Sequence, residues 1–362
     1  MRNVARAHTD RRRSHAPRAP YRLPSDARTL DLSLARRLLP LTAWGLSVSP
    51  AASLASKFKT MNNFRDLAGT PCNGAAAQIK PGLLLRSATP ADCCREDADL
   101  LLATMPSIQV LDLRSEADAL EDEGARLLAE RTRHAEMLPK KSATKRLTRH
   151  VLTDRWKVTY PLFPWRIMRS LPLVRGLGKR KLDRGVRRFL ETIELSDVYW
   201  WILTERGEAL KGCLEEITTA GASGVPTLVH CAHGKDRTGV VVAVVLHCCG
   251  ATRECIASDY AMSDEWGCSP SGQDIMMQAM PERYRDRIKE WNTPPEGENA
   301  TSWENGFYWS QFGKWCGADA STIDVLWGKV DAKYGSMDAY LDSIGFEADA
   351  RQRLQEALTC PV

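Results

Sequence analysis

Apolar residues gather into three short runs at 83–86, 108–113 and 227–230, and elsewhere they recur every three to four positions, notably over 117–136 and 187–202. Apolar runs of four to six residues suit strands buried on both faces, and the longer spacing suits amphipathic helices. Strands alternating with helices predict an α/β fold, a mostly parallel central sheet flanked by helices. Beyond Gly250 only the helical period persists, over 252–262, 273–291, 321–334 and 337–358, the last interrupted near Gly345. The stretch 292–313, with two prolines, several glycines and five aromatics, reads as a long connection. A helical C-terminal half should therefore cover the sheet, and the chain shows no internal repeat.

Charge divides the chain more sharply than hydropathy. The 362 residues carry a net +5, yet residues 1–58 hold eleven Lys/Arg against three acids, and residues 139–190 hold sixteen against two. The remainder is acidic, so an acidic body carries two basic attachments. Residues 1–57, rich in Arg, Ala and Ser, read as a disordered basic extension with the composition of a transit peptide. An intracellular site follows, the mitochondrion or plastid if the extension is read as an address and the cytoplasm otherwise. Residues 58–362 read as one domain with a basic insertion at about 139–190. That insertion interleaves its charges with Trp156, Tyr160, Phe163 and Trp165 and holds four prolines. Such a surface suits an anionic membrane, a polyphosphorylated ligand or nucleic acid, or else is a solvated face whose aromatics pack inward.

The 43% hydrophobic content supplies a globular core, and no apolar run reaches the length that crosses a bilayer, since 39–54 is broken by Pro40 and Pro50. Eleven cysteines, two pairs of them adjacent, do not read as a disulfide framework, which points to a reducing compartment. No metal-ligand spacing appears, and the expected chemistry requires no cofactor.

Chemistry concentrates in His230-Cys-Ala-His-Gly-Lys-Asp-Arg-Thr-Gly239, which leaves an apolar strand and enters the Val-rich run 240–246. A tight turn closing onto a helix N-terminus aims several backbone N–H groups into one concavity and makes an anion site. The same field favours a thiolate at Cys231. Arg237, six residues on, can fold its planar fork over two phosphoryl oxygens. Ala232, His233, Gly234, Lys235, Thr238 and Gly239 complete the phosphate-binding turn. The two glycines permit positive φ, and Thr238 is placed to donate its hydroxyl to the departing sulfur.

At these residues the sequence resembles the Cys-x5-Arg protein tyrosine phosphatase superfamily, in particular its microbial branch with a His-Cys-x-x-Gly-Lys-Asp-Arg-Thr-Gly loop. Asn63-Phe-Arg-Asp-Leu-Ala-Gly69, Leu85-Arg-Ser87, Asp112-Leu-Arg-Ser115 and Lys333-Tyr-Gly-Ser-Met-Asp-Ala-Tyr-Leu341 are similar to further motifs of that branch. The resemblance implies hydrolysis of phosphotyrosine, with phosphoserine/threonine and phosphoinositides as additional substrates, through a phosphocysteine on Cys231. The expected partner is thus a phosphoprotein or phosphoinositide, with an anionic membrane surface reached through 139–190, rather than nucleic acid. Asp236 is the first choice for the general acid, with Asp112 and Asp264 as rivals, and Asp112 has a structural alternative in pairing with Arg86 or Arg114. Lys235 is expected to face the pocket as a second cation, with a solvent-facing loop lysine as its alternative, and His233 either to contact substrate or to lie on the surface. His230 is read as a buried imidazole bonded to the loop backbone, and Arg65 and Asp66 as a pair orienting one another beneath the loop. Asp259 and Tyr260 are expected to pack in the core. Two other readings remain: an RNA 5′-triphosphatase using the same loop, and a phosphate- or membrane-binding module without turnover.

Overall fold

The computed structural model describes residues 54–90, 94–114, 127–137, 193–279 and 315–362. The extension up to residue 53 and the basic insertion 139–190 lie outside the described residues. The strands are β1 (Arg65–Asp66), β2 (Pro71–Cys72), β3 (Ala77–Ile79), β4 (Leu84–Ser87), β5 (Gln109–Asp112), β6 (Thr132–His134), β7 (Thr227–His230) and β8 (Thr359–Pro361). The helices are α1 (Arg95–Thr104), α2 (Leu195–Glu205), α3 (Gly207–Ala222), α4 (Asp236–Cys248), α5 (Arg253–Ala261), α6 (Asp264–Gly267), α7 (Pro270–Ala279), α8 (Ser321–Tyr334), α9 (Met337–Ser343) and α10 (Ala348–Leu358). Five strands form one sheet in the order β1-β4-β7-β5-β6, in which β1 alone runs antiparallel to its neighbour. A second sheet, β2-β3-β8, is antiparallel.

The alternation along the central strands explains the layers. Leu84, Leu111 and Val229 turn to one face and join a core with α2, α3, α4, α8, α9 and α10. Their neighbours Leu85, Val110 and Leu228 turn to the other face and pack with α1, Leu54, Met61 and Phe64. A strand whose successive side chains are all buried must have cover on both sides, which is why adjacent positions at the middle of each run are apolar. Asp97 of α1 fixes the incoming chain, accepting bonds from the backbone N–H groups of Lys59, Thr60 and Met61 and from the Thr60 hydroxyl.

The α/β fold with a mostly parallel sheet and a helical C-terminal half is the one the hydropathy pattern predicts. Its central strands shift by at most a residue at either end, and 321–334 is helical as expected. The 337–358 segment breaks into α9 and α10 at Gly345, where φ is +76°. The helix expected over 117–136 is corrected at its end. Residues 129–131 form a 3-10 turn and Thr132–His134 pair in parallel with β5 as a sheet edge, while 115–126 lie outside the described residues. Edge pairing is a tertiary choice that an amphipathic period does not register. The helix expected from 187 begins, among the described residues, at Leu195, where Glu194 and Asp197 form a capping box, and it runs on to Glu205. The helix expected over 273–291 starts earlier, at Pro270, and is described to Ala279. Valines 240–242, 244 and 245 have low helix propensity, yet α4 is a helix because it is buried all round between the sheet and the outer helices.

Candidate active site

Cys231 directly follows β7 and Asp236 opens α4, so residues 231–235 make the whole turn. The carbonyls of that turn are tied outward to the scaffold. His230 O accepts from Leu113 N at 2.9 Å, Ala232 O from Thr89 N at 2.9 Å, His233 O from Asn63 Nδ2 at 3.1 Å and Gly234 O from Arg86 Nη2 at 2.7 Å. In a planar trans peptide the C=O and the N–H point in opposite directions. The N–H groups of residues 233, 234 and 235 therefore face the concavity, an arrangement able to hold an anion without any charged side chain.

Gly234 is indispensable to this shape. Its φ is +65°, and a Cβ built there would fall 2.0 Å from the Ser87 carbonyl oxygen. Gly234→Ala is expected to cost about 1–3 kcal/mol from the backbone conformation alone, before the clash. It should lower the denaturant midpoint and abolish inorganic phosphate binding measured by calorimetry. Gly239 serves differently from the expectation, since it is helical and its missing Cβ leaves room for the Tyr260 ring, at 3.0 Å.

Beneath the loop, Arg86 is fully buried on β4, donates to the Asp259 carboxylate through Nη1, and holds Gly234 O through Nη2. Arg65 Nε donates to the other oxygen of Asp259 at 2.8 Å, and its Nη1 and Nη2 reach Asn63 Oδ1 and Asp259 O, both at 2.7 Å. Burial and the neighbouring Arg86 pull Arg65 down to about 10. Burial opposes the charged form of Asp259, but Arg86 and Arg65 together hold its carboxyl below the usual carboxylate range. The expected Arg65–Asp66 pair is thus corrected. Arg65 takes Asp259 of α5, while Asp66 accepts from the N–H groups of Ala68 and Gly82 and shapes the turns around β1. Asp259 belongs to the loop support rather than to passive core.

Two further expectations are overturned. Lys235 does not face the pocket. It is fully buried, its Nζ donates to Trp315 O at 2.7 Å and Gly317 O at 2.9 Å, and it lies 3.3 Å from Asp236 Oδ1. The position of its Cα inside the turn sends a long side chain inward, where three oxygen atoms replace its hydration. The His233 ring turns away from the concavity to Gly272 O. A carbonyl can only accept, so Nε2 carries the proton, and burial pushes the imidazole below its ordinary pKa.

Cys231 sits in the base of the turn, almost wholly buried. His230 Nδ1 lies 3.3 Å from Cys231 O, and its Nε2 lies 3.7 Å from Asp112. Arg237, the second residue of α4, folds back so that Nη1 reaches Leu113 O at 3.4 Å, at the strand end bonded to His230. Thr238 Oγ1 is buried with no hydrogen-bond partner among the described residues.

The three candidate carboxylates separate cleanly. Asp112 is fully buried and receives Arg114 through its backbone N–H, Nε and Nη2, which is the structural pairing considered for it. Asp264 opens α6 and accepts from Ala318 N at 2.7 Å. Asp236 stands at the loop itself with its side chain 22% exposed. Burial opposes its charged form, but the Lys235 ammonium, His233 and the Tyr199 hydroxyl hold it below the usual range. Lys235 moves the opposite way, with Asp236 outweighing burial to lift it above the ordinary amine value, as befits an ion pair.

Sequence reasoning does not single out Tyr199, whose hydroxyl donates to Asp236 Oδ1 at 2.6 Å from the distant helix α2. A tyrosine on an apolar helical face carries no local sign of such a contact. Arg86 does carry one, because a charge inside an apolar strand demands a buried partner.

Residues 56–360 match the tyrosine phosphatase family. Over 90 residues the chain is 41% identical to the triple specificity protein phosphatase PtpB of Mycobacterium tuberculosis. That stretch covers 25% of this chain and 30% of PtpB, so the matched part is less than a third of that relative's length.

Proposed function

This chain belongs to the tyrosine phosphatase family, and from that premise we propose that it is a cysteine-dependent phosphatase of phosphotyrosine monoesters. The observation that carries the proposal is the loop whose carbonyls at 232, 233 and 234 are held outward while Arg237 folds back beside it. An anion cradle with a thiol at its base and a guanidinium beside it suits in-line displacement at phosphorus.

In the first step the Cys231 thiolate forms the S–P bond as the P–O bond to the leaving group breaks. In the molecules whose Asp236 is protonated, a fraction that grows as pH falls, that proton passes to the leaving oxygen, and the alcohol or phenol departs. In the second step water attacks the phosphocysteine, Asp236 takes a proton from it, and inorganic phosphate leaves as the thiolate is restored. Arg237 gains strength as charge spreads over the equatorial oxygens. The buried, unpartnered Thr238 hydroxyl supports its assignment as a donor to the departing sulfur.

The protonation role of Asp236 is tested through the leaving group. Asp236→Asn should slow phosphoserine peptide hydrolysis by about 10²–10⁴-fold, and p-nitrophenyl phosphate far less, because nitrophenolate leaves without a proton. Equal losses on both would remove Asp236 from that role.

The substrate range is tested with a panel of phosphotyrosine and phosphoserine peptides, inositol lipids in vesicles and a 5′-triphosphate RNA. The phosphotyrosine peptide is expected to have the highest kcat/KM. The inward turn of Lys235 removes one argument for polyphosphorylated substrates, and the basic 139–190 stretch supports keeping inositol lipids in the panel. Preference for RNA, or binding without turnover of any of them, would overturn the reading.

A further inference from the structure

The mechanism leaves unused a chain of buried hydroxyls that ends on Asp236. Tyr199 of α2 and Tyr260 of α5 are both essentially unexposed, their hydroxyl oxygens are 2.7 Å apart, and Tyr199 Oη lies 2.6 Å from Asp236 Oδ1. A carboxylate can only accept, so the Tyr199 proton is committed to Asp236, and Tyr260 must then donate to the Tyr199 oxygen. The order is Tyr260 to Tyr199 to Asp236, with each hydroxyl used once as donor. Lys235 Nζ approaches the same Oδ1 at 3.3 Å. Among the described residues, Oδ2 has no hydrogen-bond partner.

This asymmetry divides the carboxyl into an anchored oxygen and a working one. We infer that Tyr199 is a positioning residue for Asp236, occupying Oδ1 from within the core so that Oδ2 is the oxygen that carries the proton toward the leaving group. The inference rests on Asp236 being the general acid. Tyr199 touches neither the thiol nor the phosphate site in this arrangement, and it acts through the carboxyl alone. Its own position is fixed from behind. The Tyr260 ring packs edge-on against it at 5.9 Å between centroids, and that ring is seated in the space left by Gly239. The helix carrying Tyr199 is further held by Tyr340, whose hydroxyl donates to Leu203 O at 2.8 Å, and by Lys333, which lies 5.4 Å from the centre of the Trp200 ring. Both belong to the 333–341 motif, which gives that motif a physical connection to the loop.

The groups facing the carboxyl come from every element around it: Tyr199 from α2, Tyr260 from α5, His233 and Lys235 from the loop, and the Cys316 thiol from the segment before α8. Of these, Tyr199 supplies a neutral hydrogen bond to the ionised form. Its removal should raise the proton affinity of Asp236 and let the carboxyl rotate.

The test is a pair of measurements on Tyr199→Phe, which deletes one oxygen from a packed ring. Hydrolysis of a phosphoserine peptide should decline with rising pH as Asp236 loses its proton. In the variant this decline should move up by about one pH unit, the order expected for losing one hydrogen bond to a charged group. In parallel, the Asp236 carboxyl carbon, followed by 13C NMR in selectively labelled protein, should titrate about one unit higher. Tyr260→Phe, which removes only the donor behind Tyr199, should move both readouts in the same direction by less. A decline and an NMR titration unchanged by Tyr199→Phe in folded protein would overturn the inference. If Tyr199→Phe does not fold, Tyr260→Phe decides, and an unmoved titration there overturns it equally. Failure of the underlying reading looks different, because Asp236→Asn would then keep the alkaline decline of the wild-type protein.

Discussion

Cys231→Ser is expected to lower the turnover of a phosphotyrosine peptide by at least about 10⁴-fold, the scale on which loss of a covalent nucleophile is felt. A serine hydroxyl occupies nearly the same space as the thiol, but it is protonated at neutral pH and a far weaker nucleophile than a thiolate. The cradle is built from backbone N–H groups held by Asn63, Arg86 and Thr89, none of which the substitution touches. The variant should therefore still bind, and it should retain a phosphotyrosine peptide that the wild-type protein releases as product. The check is single-turnover kinetics beside calorimetric binding on the same preparation. Turnover near the wild-type rate would exclude a phosphocysteine route. Loss of binding together with turnover would place the sulfur in the architecture of the cradle rather than in bond making.

Asp259→Ala should produce the largest loss of stability, about 3–5 kcal/mol, because it leaves two guanidiniums in the interior without a counterion. Arg86 has no exposed surface, and Arg65 is already depressed by burial and by Arg86, so neither can recover its hydration in place. The effect should exceed that of removing a surface ion pair such as Arg253–Asp331, where both side chains meet water, a pair worth about 0–1 kcal/mol. The pH dependence follows from the direction of the shift. Asp259 has a folded pKa below its unfolded value of about 3.9, so its contribution is complete above that value and disappears as pH falls through the folded pKa. Denaturant midpoints measured from neutral pH downward should thus converge for wild type and Asp259→Asn only in acid. A constant separation across that range would show that Asp259 does not pair with the arginines. Loop geometry should suffer as well, since Arg86 Nη2 is the donor to Gly234 O.

Much of this arrangement is legible in the chain itself, for reasons that are local. A strand buried on both faces has to be apolar at successive positions, which is why β4, β5 and β7 stand out as runs. The turn 231–235 is recognisable because its residues meet steric and electrostatic demands within a few bonds of one another, Gly234 above all. The helices after Gly250 have regular periods and, at Gly345, a break that glycine permits. The short edges β6 and β8 leave no such trace, because three-residue strands form only where a partner strand offers its backbone.

The side chains around the turn show the boundary most clearly. Sequence places Arg65 beside Asp66, Lys235 beside Arg237 and His233 beside Cys231, and chain proximity suggests common orientation. Folding decides otherwise in each case. Arg65 finds Asp259 194 residues away, Lys235 finds the carbonyls of residues 315 and 317, and His233 finds Gly272. Tyr199 reaches Asp236 from a helix 37 residues earlier.

The amino-acid order alone determined the central strands β4, β5 and β7, the turn 231–235 and the residues available to it, because each depends on spacing within one element. Which charges face the phosphate site and which are spent inside the protein was decided only by the packed tertiary structure. A buried charge or hydroxyl must find a partner wherever the fold supplies one, and distance along the chain puts no limit on where that is.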